Sequence, residues 1–212
     1  MELRQLTLQQ GWQSLKTGVR TTLHSARSSI MFHTGTARPS VRADGIDLLP
    51  DALAVGAPGE EHFLQLSSDC SWATLTLTPA TYAAARAALI CGDSNRTMQT
   101  SLVRPPLAAI NRLRKLHRRV MRLIPSAGSR AAHPEVARAA EHGLLAAVVD
   151  CLAGEGNVTS PRLGDRNGTS IMRQLYELLD ASEGLPLYLI EVCARLGVSR
   201  RTLHTPAPST WA

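Results

Sequence analysis

The chain has 212 residues, 44% hydrophobic and 19% charged, which is enough apolar material to bury a core in one or two domains and excludes a disordered protein. No stretch approaches the roughly 18 consecutive apolar residues of a membrane span. The N-terminus lacks the basic start and apolar middle of a signal peptide, so a cytoplasmic location is expected. The net charge of +6 suits an anionic partner, and eight basic residues with no acidic one fall between positions 101 and 130, leaving −2 for the remainder.

Cys70, Cys91, Cys151 and Cys193 are scattered in apolar settings without paired spacing. They read as core thiols, neither a disulfide framework nor a zinc site. The sequons at Asn95, Asn157 and Asn167 are then chance matches.

Residues 1–27 alternate irregularly. Leu3, Leu6 and Leu8 fit either a short edge strand or part of a helix, and Trp12 is expected to anchor the segment on the body of the protein. From Ser28 to Leu77 the character is β: short apolar or alternating runs are separated by turns at Asp44-Gly45, Pro50-Asp51, Pro58-Gly59 and Ser67-Ser68-Asp69. This describes a small antiparallel sheet or barrel, short enough that its opening strands are expected to be missing or poorly formed.

His33 and His62 are isolated, and Glu60-Glu61-His62 beside a glycine turn reads as a solvated loop rather than a metal site. No Gly-Xaa-Ser-Xaa-Gly elbow, His-Glu-Xaa-Xaa-His pair or phosphate loop occurs. The residues argue for no catalytic role, metal or cofactor.

Pro79 to Ile90 is alanine-rich and should form a helix. Pro106 to Leu123 is a second, with Leu107, Ile110, Leu113, Leu116, Val120 and Leu123 on one stripe. On its outer side Arg112, Lys115, Arg119 and Arg122 form a basic ridge, open to two readings: phosphate contact or a solvated helix face. A third helix begins with His133-Pro-Glu-Val and continues to about Leu152, with Val136, Ala140, Leu144, Val148 and Cys151 or Leu152 inward. The two long helices should form an antiparallel hairpin serving intrachain packing, a homodimer contact, or both.

Residues 154–168 are dominated by Gly, Pro, Asn and Asp and read as an exposed linker. Thr169 or Ser170 should cap the next helix, Ile171 to Ala181, whose Ile171, Leu175, Leu178 and Leu179 would cover the C-terminal segment.

That segment, Pro186 to His204, is the most informative stretch of the chain. Leu189, Val192 and Leu196 recur at helical spacing, and Cys193 puts a small side chain where a second helix would cross. Gly197 can take the left-handed conformation of a tight turn, Val198 offers an apolar contact beneath it, and Ser199 can cap a new helix. That helix begins Arg200-Arg201-Thr202-Leu203-His204 with Leu203 inward. This is helix-turn-helix spacing, and Ser199, Arg200, Arg201, Thr202 and His204 suit contact with base edges and phosphates.

The wording of residues 187–203, preceded by an amphipathic helix, resembles the first helix-turn-helix of the AraC/XylS family of bacterial transcription regulators. More weakly, Leu48 to Glu60 resembles the cupin-like sensor domain of such proteins. The resemblance implies an α+β protein: a cupin-like antiparallel β sensor over residues 1–100, a helical hairpin over 101–153, a linker over 154–168 and a partial helix-turn-helix domain over 169–212. It implies a regulator binding double-stranded promoter DNA, with a small-molecule effector and a homodimer as further partners and no membrane. Family members continue with a second helix-turn-helix, whereas Thr205-Pro-Ala-Pro-Ser-Thr-Trp-Ala212 sets prolines where the recognition helix would extend. The expectation is therefore a truncated or frameshifted reader with impaired, salt-sensitive DNA binding. The alternative is a sensor and dimerisation remnant that pairs with a full-length relative.

Overall fold

The structure, a computed structural model, describes residues 5–35, 41–44, 46–87, 101–123, 134–153 and 163–204. In chain order these form β1 (Leu6–Gln13), β2 (Thr17–Thr22), β3 (Ser28–His33), β4 (Val41–Ala43), β5 (Ile46–Leu48), β6 (Leu53–Gly56), β7 (Glu61–Leu66), β8 (Cys70–Leu77), α1 (Pro79–Ala87), β9 (Ser101–Val103), α2 (Leu107–Leu123), α3 (Pro134–Ala153), α4 (Leu163–Ala181), α5 (Leu189–Leu196) and α6 (Arg200–His204). The strands make two antiparallel sheets, one in the order β1-β8-β3-β6-β9 and one in the order β2-β7-β4-β5.

Alternation along the strands assigns each side chain to a layer. In the five-stranded sheet Leu6, Leu8, Ile30, Phe32, Leu53, Leu75 and Leu77 share one face, and their cluster includes Ile110, Leu113 and Val120 of α2 and Leu144, Val148 and Cys151 of α3. The helical hairpin and the sheet thus share one core. Each leucine fully buried there contributes about 2 kcal/mol. The opposite face carries Ser29, Met31, Ala54, Trp72 and Thr74, and it looks toward Val19, Leu64 and Leu66 of the second sheet.

Several expectations change. The opening strands are present: β1 pairs with β8 from Leu6 to Gln13, and β2 pairs with β7 from Thr17 opposite Leu66 to Thr22 opposite Glu61. Trp12 does not anchor the segment, being 64% exposed on the outer edge strand. Counting about 100° per residue, the buried face of α2 is set by Ile110, Leu113, His117 and Val120, and Leu107 and Leu123 stand well round the helix from its centre. Both are exposed, and His117 takes the inward place. On α3 the same geometry turns Val136 outward and brings Glu141 in, where its carboxylate accepts a hydrogen bond from the Gln5 backbone N–H at 2.5 Å.

The helix expected to begin at Ile171 begins at Leu163, so residues 163–168 are helical rather than linker. Once residues 170–178 dock, extending the helix backward adds one hydrogen bond per residue ordered, and no apolar period is required of those turns. Leu179, expected to cover the helix-turn-helix, is 45% exposed, while Tyr176 of the same helix faces the sheet. The remaining linker residues 154–162, the end of the alanine-rich helix (Leu89, Ile90), Cys91, Gly45 and the Pro206 and Pro208 tail lie outside the described residues. Among the described residues no helix is long and apolar enough to cross a membrane.

Candidate functional site

The turn between α5 and α6 forms through local chemistry. Glu191, one turn into α5, accepts a hydrogen bond from the Tyr188 backbone N–H at 3.1 Å and occupies one of the orphan donors of the helix start. At the other end Gly197 sits at φ 63, ψ 28. Its N–H donates to the Ala194 carbonyl at 3.3 Å, and the Val198 N–H reaches back to Cys193 at 3.0 Å. This pair of bonds is a Schellman closure, and it needs a residue that is comfortable in the left-handed region. Ser199 then caps α6: its Oγ accepts from the Thr202 N–H at 3.0 Å, and its carbonyl accepts from the Leu203 N–H at 2.9 Å.

Val192 is buried, and Leu189, Cys193, Leu196, Val198 and Leu203 are half-buried. Arg200, Arg201 and Thr202 are exposed. The Ser199 and Thr202 hydroxyls lie 2.8 Å apart and bond each other, so a DNA contact by either must share that oxygen. His204 closes α6, and its side chain is outside the described residues.

The basic ridge is elsewhere. Arg112, Lys115, Arg119 and Arg122 are exposed on α2, which packs on the outer face of the five-stranded sheet. Arg112 bonds Asp150 of α3 at 2.6 Å. Helix α4 instead lies on the outer face of the four-stranded sheet, where Phe63 stacks on Tyr176 at 5.6 Å and Arg20 bridges Glu61 at 2.5 Å and Asp180 at 3.6 Å. Both sheets therefore stand between the ridge and α4. Leu113 and Leu144 of the hairpin are fully buried within the chain.

Sequence reasoning passed over Arg114. It is half-buried between the hairpin and the sheet, donating from Nε to the His33 carbonyl at 2.9 Å and from a terminal nitrogen to the Pro50 carbonyl. It thereby joins α2 to the ends of β3 and β5. Burial lowers its pKa, and it likewise lowers that of His33, whose Nε2 meets the Leu48 carbonyl at 2.8 Å.

Between the two sheets lies a cavity of about 190 Å³. Hydrocarbon and aromatic groups make much of its wall, including Val19, Met31, Leu64 and Trp72, while Thr21, Thr74 and Thr76 add hydroxyls. His62 lines it as well. The solvated-loop reading of Glu60-Glu61-His62 fails here: β7 turns Glu61 outward to Arg20 and His62 inward to 8% exposure. His62 Nδ1 lies 2.7 Å from Asp44 Oδ2, and Asp44 Oδ1 accepts from the Phe63 N–H at 2.9 Å. Asp44 itself is held at φ 51 in the β4–β5 turn. Among the described residues no three His, Cys, Asp or Glu side chains converge as a metal site.

No family model matches the chain, and no curated protein matches it. Several solved structures are similar to it at low identity. The AraC-like transcriptional activator CuxR is 15% identical, with 95% of this chain and 70% of that one covered and a TM-score of 0.49. Apo ToxT K231A from Vibrio cholerae strain SCE256 is 11% identical, covering 94% and 73% at a TM-score of 0.47. Unsaturated fatty acid bound wild-type ToxT from the same strain is 10% identical, covering 97% and 79% at a TM-score of 0.41.

Proposed function

We propose that this chain is a DNA-binding transcription regulator of the AraC type, with α5 and α6 as its reader and the two-sheet half as a cupin-like sensor for a small-molecule effector. The observation that carries this reading is the closed turn at Gly197 and Ser199. It fixes a short helix against α5 and leaves Arg200, Arg201 and Thr202 in solvent at the start of that helix, where a recognition helix meets base edges. An ordinary helical hairpin has no need of two arginines there. The resemblance of residues 187–203 to the family's first helix-turn-helix supports the same assignment.

Phosphate contact supplies affinity and base-edge contact supplies selectivity. Of the residues assigned to the reader, Arg200 and Arg201 have the reach and fork geometry for guanine, and Thr202 and His204 complete the surface. Mobility shift on duplex DNA at several salt concentrations tests the proposal. A complex whose affinity falls linearly with the logarithm of salt supports it, and absence of any complex at low salt overturns it.

A further inference from the structure

His62 is built into the cavity in a way that packing alone does not require. Its side chain is nine-tenths buried, Asp44 holds Nδ1, and Nε2 has no hydrogen-bond partner among the described residues. A buried polar atom left unpaired costs about 1–3 kcal/mol. Gly56 lies beside it: a Cβ on that residue would stand 3.1 Å from Nε2 and 2.6 Å from both Ser29 Oγ and Leu23 Cδ1, and all four residues line the space. A glycine at this position keeps the approach to the ring open.

We infer that the cavity takes a small apolar carboxylic acid, its carboxyl group bonded to His62 Nε2 and its hydrocarbon body against Met31, Leu64 and Trp72. Asp44 decides between an acid and a neutral alcohol. With Asp44 on Nδ1, Nε2 is the ring atom left to bond a ligand oxygen, and a hydrogen bond to a carboxyl group there is charge-assisted, about twice as strong as a neutral one. Size agrees, since an apolar cavity of about 150 Å³ admits benzene and this one has about 190 Å³. A six-carbon chain or ring with one carboxyl group is the matching scale.

This inference rests on the sensor reading of the two-sheet half and is independent of DNA binding. Calorimetry on the whole chain without DNA, using hexanoate and cyclohexanecarboxylate as probes and hexan-1-ol and cyclohexylmethanol as neutral counterparts, tests it. The acids should bind at least tenfold more tightly than the alcohols. H62L should lower acid affinity tenfold or more and leave alcohol affinity within twofold, with the melting temperature of each variant confirming that it is folded. D44N keeps a short polar side chain at φ 51 and should lower acid affinity in the same sense even if H62L fails to fold. Failure of both acids to bind, equal binding of acids and alcohols, or acid affinity unchanged in either folded variant would overturn the assignment. Alcohol binding without acid preference would leave the sensor reading standing and remove only the His62 anchor.

Discussion

Phe63 and Tyr176 stack with ring centroids 5.6 Å apart and planes 25° from parallel, which fastens α4 to the outer face of the sheet whose inner face carries His62. The two residues that face opposite ways, His62 and Phe63, are neighbours on β7, and Asp44 bonds the side chain of one and the backbone of the other. The cavity wall and the seat of α4 are thus one strand thick.

Tyr176→Ala should loosen that seat. Loss of the stack removes about 1 kcal/mol beyond the area lost, so hydrogen exchange of the α4 amides should accelerate by roughly fivefold while β3 and β8 amides remain unchanged. Arg20→Ala, which breaks ion pairs with Glu61 and the exposed Asp180, should change α4 protection far less, because solvent screens exposed ion pairs. Equal protection of α4 in wild type and Tyr176→Ala would show that the helix is held by something else.

The Gly197 turn can be tested by stability alone. A Cβ there meets nothing within 4 Å, so Gly197→Ala carries only the left-handed backbone penalty, about 1–2 kcal/mol, and Gly197→Asn should cost less. Ser199→Ala should cost about 1 kcal/mol through loss of the α6 cap. Exchange rates in α5 and α6 report both, and a neutral Gly197→Ala would contradict the closure.

The turn between α5 and α6 was legible in the sequence because its chemistry is local: Gly197, Ser199 and Thr202 act within a few residues of one another. The long helices were legible from their apolar period, but that period misplaced Leu107, Leu123 and Val136, because the buried face of each helix includes a polar residue, His117 or Glu141, that hydropathy counts against burial. The cavity was not legible. Its anchor joins residues 18 apart, and Glu60-Glu61-His62 reads as a solvated loop until β7 turns alternate side chains to opposite faces. A period-two reading of His62, Leu64 and Leu66 against Glu61, Phe63 and Gln65 carries that signal. β9 offers three residues and pairs only because β6 is already in place.

Acid should destabilise the fold through its buried histidines. Burial lowers the pKa of His117 to about 4, with the Arg118 charge adding to the effect, and burial lowers that of His33 as well. Each binds its proton more weakly when folded than when unfolded. Stability is therefore full above the unfolded value near pH 6.5, falls as the pH drops toward the folded value, and for His117 loses nothing further below about pH 4. The loss through His117 is on the order of 3 kcal/mol. His117→Leu removes a ring nitrogen that has no partner among the described residues and should flatten the dependence between pH 6.5 and 4. An unchanged pH profile in that variant would assign the slope elsewhere.

Thiol reactivity should follow burial. Burial pushes Cys151 up to about 12 and raises Cys70, so both should resist alkylation at pH 8 in the native state. Cys193, half-buried beside the reader turn, should react ahead of them in a Cys91→Ser background. Cys151 labelling at the rate of Cys193 would contradict the packing of α3.

Affinity for duplex DNA, measured against salt for the wild type, Arg200→Ala, Arg201→Ala and Arg119→Ala, tests the central claim most directly. If α6 is the reader, either α6 substitution lowers affinity by about 1–3 kcal/mol for each base edge no longer bonded, whereas removing a phosphate partner reduces the salt slope by about one. Arg119→Ala, on the far side of both sheets, leaves both quantities unchanged. Loss of binding in Arg119→Ala with full affinity retained in the two α6 variants would place the DNA surface on α2 and contradict the assignment of α6 as the reader.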